Sequence, residues 1–170
     1  AGVPFGFVFT DLAEQLGEPW SATLSHEVLE LISDPEVNLL AAGPHPRFPQ
    51  TRWALHWYEM SDAVQDETYD IDGIKVSNFV LPLYFTVREE TGKPTNFLNT
   101  PLSSFGVRPG GYVGYLNPAT GKHDIFADDA RGRQRAKIKS RAGMLRRSER
   151  YRRLGVRSVL GKFRRWWKID

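Results

Sequence analysis

A histidine at position 26 and a glutamate at position 30 stand one helical turn apart in the stretch LSHEVLELISDPEVN, Leu24 to Asn38. On a helix, residues four apart stack along one face, about 6 Å apart in rise. His26 and Glu30 can then aim an imidazole nitrogen and a carboxylate oxygen at one cation. Zinc accepts both ligand types, and a catalytic zinc site takes three protein ligands and keeps one position for water. Glu27, beside the first ligand, stands where a general base would, ready to take a proton from a water whose pKa zinc lowers to about 7. A further ligand has to come from a distant segment. Glu59 and Asp62 in WYEMSDAVQD are the best placed, because they follow an expected strand that can fold back over the helix. His45, His56 and His123 are weaker candidates; His56 alternates with apolar neighbours and reads as a strand residue packed on a sheet. A calcium or magnesium site built from Glu30, Glu59, Asp62 and Asp66 is the oxygen-only alternative, but an imidazole favours zinc. The plain alternative is a solvated, salt-bridged helix face.

These residues also carry a resemblance. SHEVLELISDPEVN followed by YEMSDAV is similar to the His-Glu-x-x-Glu signature of a zincin-like group that includes the plant Exordium-like (phosphate-induced) proteins. The matching positions are His26, Glu27, Glu30, Asp34, Pro35, Asn38, Glu59 and Asp62. YDIDGIKVSNFVLPLYF, Tyr69 to Phe85, resembles a segment of uncharacterised bacterial and phage relatives. The resemblance spans roughly Phe5 to Phe85. It implies an α+β, zincin-like metallopeptidase-type domain with a mixed sheet and one metal-site helix. It also implies zinc bound by His26 and Glu30 with Glu59 or Asp62, and Glu27 as the catalytic base. In one respect the chain departs from the plant pattern: Ala63-Val64 stands where those proteins place a cysteine after Glu-x-x-Asp.

The surrounding elements must position this site. Gly6 to Thr10 is expected to be a strand. After a turn at Gly17, Glu18 and Pro19, a helix is expected over Ala22 to Ser33, capped by Ser21 or Thr23. Leu24, Val28, Leu31 and Ile32 share an arc expected to face the core, while His26, Glu30 and Asp34 fall on another. Pro35 ends the helix, since the residue before a proline resists helical geometry. The proline-rich span from Ala42 to Gln50 reads as an ordered loop. Trp53 to Tyr58 reads as a strand, and Asp72-Gly73 as the two-residue turn of a hairpin. Phe79 to Val87, interrupted by Pro82, suits an edge strand or an irregular segment. Residues 91–104 read as a long loop. Val113 to Leu116 and His123 to Phe126 form a second expected hairpin. The glycines of RPGGYVGY, Arg108 to Tyr115, lack the lysine and spacing of a phosphate loop and suit a bend or close backbone packing.

Charge divides the chain of 170 residues. Residues 1–128 carry 7 Lys and Arg against 17 Asp and Glu; residues 129–170 carry 16 against 3. The first part is expected to be the domain and the second a basic C-terminal arm, with an amphipathic helix near 156–169. Arg146, Arg147, Arg150, Phe163, Trp166 and Trp167 are its candidate partner-binding residues. Docking on protein, either the acidic body itself or neighbouring subunits of an assembly, ranks first, nucleic acid second and a membrane surface third. There are no cysteines, which excludes disulfides, thiolate metal sites and thiol catalysis. Two functions therefore stand as expectations. One is a zinc-dependent metallopeptidase-like domain, active or inactive. The other is a structural protein of a virus (phage) particle whose arm docks on neighbouring subunits or nucleic acid. A virion and a secreted location both fit.

Overall fold

The computed structural model describes residues 5–87 and 92–142. The candidate arm residues Arg146, Arg147, Arg150, Phe163, Trp166 and Trp167, and the expected helix near 156–169, lie outside these described residues. The fold is α+β. Helices α1 (Thr10–Gln15) and α2 (Trp20–Ser33) come first, followed by strands β1 (Leu40–Pro44) and β2 (Trp53–Trp57). A 3-10 turn at Asp62–Val64 leads into the hairpin β3 (Thr68–Ile71) and β4 (Ile74–Ser77). A second 3-10 turn at Pro82–Phe85 precedes β5 (Val113–Asn117), β6 (Lys122–Phe126) and helix α3 (Ala130–Ala142).

The main sheet runs in the order β1-β2-β5-β6. Every pairing is antiparallel, so the sheet is not the mixed one expected. Leu55 pairs with Leu116 and His56 with Tyr115 where β2 meets β5. Such pairs need little connecting chain, whereas parallel strands require long crossovers. The Asp72-Gly73 turn takes positive φ at both residues, 49° and 82°, the geometry that lets a two-residue loop follow the natural twist of its strands.

Three local expectations fail. Gly6 to Phe9 is not a strand, and Thr10 instead opens α1. Ala42 to Pro44, the start of the span expected to be a loop, instead belongs to strand Leu40–Pro44, which pairs along its length with β2. Helix α2 begins at Trp20 with Pro19 as N-cap and no side-chain cap. Ser21 and Ser25 reach β4 instead: the Ser21 hydroxyl donates to the Lys75 carbonyl at 2.7 Å, and the Ser77 N–H donates to Ser25 Oγ at 2.8 Å. These bonds lay the β3–β4 hairpin along α2.

The core centres on Ala63, Val64, Val80, Tyr84 and Val113, with Met60, Phe85, Leu102, Val107 and Phe126 packed around it. It gathers beside the Asp62–Val64 turn, so that turn is held by apolar packing on one side and by backbone on the other. The Tyr112 N–H donates to the Asp62 carbonyl at 3.0 Å and the Arg108 N–H to the Ala63 carbonyl at 2.9 Å. Gly111 approaches the Ala63 backbone too closely for any Cβ. Close packing, rather than phosphate binding, therefore accounts for this glycine of RPGGYVGY. Helix α3 is fastened to the body by Arg135, which binds Glu18, Asp66 and the Gly110 carbonyl.

Candidate metal centre

Helix α2 presents two rows of residues spaced by four. Ala22, His26 and Glu30 form one, continued by the C-cap Asp34, and all four are buried. Trp20, Leu24, Val28 and Ile32 form the other, and all four are exposed. The rows differ by two positions, about 200° around the helix. The expected core arc therefore faces outward. Polar side chains occupy the buried side because that side meets the Asp62–Val64 turn and the β3–β4 hairpin.

Burial brings the expected ligands together. His26 Nε2 lies 3.1 Å from Glu30 Oε1 and 3.2 Å from Asp62 Oδ1. Glu30, Glu59 and Asp62 can place one carboxylate oxygen each within 4.8 Å of one another, as can His26, Glu27 and Glu30 with their own ligand atoms. His26, Glu30, Glu59 and Asp62 are all at most 9% exposed, whereas Glu27 is only half-buried. Three carboxylates sharing a dry site with one imidazole repel one another unless a proton or a cation lies among them. This donor set fits a divalent ion, and its imidazole suits zinc better than calcium. Asp62 acts on its surroundings too. The Tyr84 phenol is pushed far up by burial and then by the Asp62 charge, and it donates to the Gly106 carbonyl at 2.7 Å.

Other candidates have structural employment. Asp66 pairs with Arg131 and Arg135 at 2.9 Å each, which takes it out of the oxygen-only set. Asp34 accepts the N–H groups of Asn38 and Leu39 at 3.0 Å each and so caps the exit from α2. His56 donates through Nε2 to the Pro44 carbonyl at 2.8 Å, and burial lowers its pKa to about 4. His45 Nδ1 accepts the Arg47 N–H, and its pKa is lowered by burial and by Arg52 and Arg47. His123 Nδ1 accepts the Trp57 indole N–H at 3.0 Å, and burial lowers its pKa. All three belong to the main sheet and its edge.

A cavity of about 140 Å³ reaches His26, lined also by Thr23, Gln65, Asp66, Arg131 and Arg135. Thr23 Oγ1 and Gln65 Oε1 are buried with no hydrogen-bond partner among the described residues. Neither residue was singled out as a site residue in the sequence. Thr23 had a signal, standing three positions before His26 and hence on its face of the helix; Gln65 had none. Of the cluster, His26 lines this cavity, whereas Glu30, Glu59 and Asp62 are not among its lining residues.

Comparison with protein-family models, with curated proteins and with solved structures returns no match for this chain. The chemistry of the cluster therefore stands on its own geometry.

Proposed function

We propose that the chain is a zincin-like, metallopeptidase-type domain that binds one zinc ion through His26, Glu30 and, rather than Glu59, Asp62 as the third ligand, which leaves the fourth position to water. The observation that carries this reading is the approach of one buried imidazole nitrogen to two buried carboxylates, one a turn further along the same helix and one from a distant segment. Zinc, when bound, supplies a Lewis acid and lowers the pKa of water at the site. The protein's own groups do the rest. His26 and Glu30 keep their spacing because the helix backbone fixes it, and Asp62 keeps its place because Tyr112 and Arg108 hold its turn. Glu27 is within reach of His26 and Glu30 yet half-buried, so its carboxylate can accept a proton from water and pass it on to a leaving amine. Thr23 and Gln65 offer hydrogen bonds to whatever enters the cavity. Amide hydrolysis is the reaction class that the His-Glu-x-x-Glu resemblance brings to this site.

The test is elemental analysis of the full chain purified from zinc-supplemented buffer. One zinc per chain is expected, and it is lost in His26→Ala and in Asp62→Ala. Glu27→Gln retains the zinc and loses hydrolysis of a peptide library. A folded chain that takes up no zinc at neutral pH would refute the reading and leave an assembly role as the better account.

A further inference from the structure

Trp20, Leu24, Val28 and Ile32 form an apolar stripe along the outer face of α2, 59%, 42%, 42% and 74% exposed. Four large apolar side chains at a spacing of four make a continuous ridge, not scattered surface residues. We propose that this ridge is the docking face for the chain's own C-terminal segment, residues 156–169.

Three observations single out that occupant. The first is pattern. Val156, Val159, Leu160, Phe163 and Trp167 repeat at helical spacing, so a helix there would present one apolar stripe to match another. The second is charge. Residues 1–46 contain seven carboxylates and no Lys or Arg, and Asp11, Glu14 and Glu36 among them are exposed. Residues 143–170 contain ten Lys and Arg and two carboxylates. Opposite potentials of this size steer the two segments together and disfavour a second acidic surface. The third is continuity. The basic region already grips the body next to this helix: Arg135 of α3 binds Glu18, two residues before the start of α2. From Ala142 the chain has thirteen residues to reach Val156, about 45 Å when extended, and α2 is about 21 Å long.

Helix α2 would then be held between the His26–Glu30 cluster on one face and the arm on the other. The proposal does not depend on zinc, since it uses the opposite side of the helix and no metal ligand.

Because the chain has no cysteine, Val28→Cys in the full chain gives a single thiol on the ridge. Its rate of reaction with a maleimide reports cover. At low ionic strength the thiol reacts slowly, and Phe163→Asp combined with Trp167→Asp raises the rate roughly tenfold or more, as expected when a docked segment must open first. The protection is the same across protein concentrations, and the chain remains monomeric by light scattering. Labelling at the free-thiol rate whether or not the arm is altered would overturn the proposal. So would protection that grows with concentration alongside a dimer mass, which would assign the ridge to a second copy. Protection that develops only when duplex DNA or anionic vesicles are added would overturn it as well.

Discussion

The Nε2 atom of His26 lies 3.2 Å from Oδ1 of Asp62, although two strands of the main sheet intervene between them in the chain. That closeness joins a helix to a turn around a buried acidic cluster. It makes the cluster testable by stability as well as by metal content.

Zinc at about a hundred times its dissociation constant should raise the unfolding free energy by about 2.7 kcal/mol. Asp62→Asn should abolish that gain. In metal-free protein the same substitution removes one carboxylate from the acidic cluster but keeps an oxygen facing His26 Nε2, so its unfolding temperature should stay close to that of the wild type. Thermal melts with zinc and with chelator measure both effects. A zinc-dependent rise that survives in Asp62→Asn would remove Asp62 from the site.

Asp34 belongs to the resemblance motif, yet its two oxygens are occupied by the Asn38 and Leu39 amides. Asp34→Ala should cost about 2 kcal/mol, since hydrogen bonds to an ionised acceptor are the stronger kind. It should leave zinc stoichiometry unchanged in the folded fraction. Urea denaturation and elemental analysis check this; a folded variant without zinc would make Asp34 a ligand.

Arg135 is 4% exposed and satisfied by Glu18, Asp66 and the Gly110 carbonyl. Removing one member of a buried ionic network strands the others, at about 3–5 kcal/mol. Arg135→Met should therefore cost near the lower end of that range, since Asp66 keeps Arg131 as a second partner. Denaturant unfolding gives the magnitude. Amide exchange across α3 should rise in the same variant; an unchanged pattern would show that other contacts hold the helix.

His56 makes stability fall in acid. Its folded pKa is about 4, lowered by burial from 6.5. Between those values the unfolded chain binds more protons than the folded one, so each step down in pH favours unfolding. The contribution is complete above pH 6.5, declines as pH drops and levels off below 4, a total loss of roughly 3 kcal/mol. His56→Gln keeps a donor for the Pro44 carbonyl without the titration, and its stability should depend less on pH in this window. Parallel wild-type and variant profiles would refute the assignment.

Several features were legible in the sequence because they depend on neighbouring residues alone. Asp72-Gly73 selects its turn through positive φ, and Pro35 stops α2 through a local clash. The spacing of His26 and Glu30 already placed an imidazole and a carboxylate on one side of a helix. Strand β1 was hidden because Leu40–Pro44 draws its order from pairing with β2, not from its own propensity. The direction in which α2 faces was misread for a related reason. Periodicity identifies two faces of a helix, but which one is buried depends on what the rest of the chain lays against it. Here the β3–β4 hairpin and the Asp62–Val64 turn cover the polar face and leave Leu24, Val28 and Ile32 outside. Sequence by itself determined the side-chain types, their spacing on the helix and the local turns, since those follow from covalent geometry. Only the tertiary structure decided that Asp62 and Glu59 meet His26 and Glu30 out of water, because contacts between distant segments arise from packing that no single stretch of chain contains.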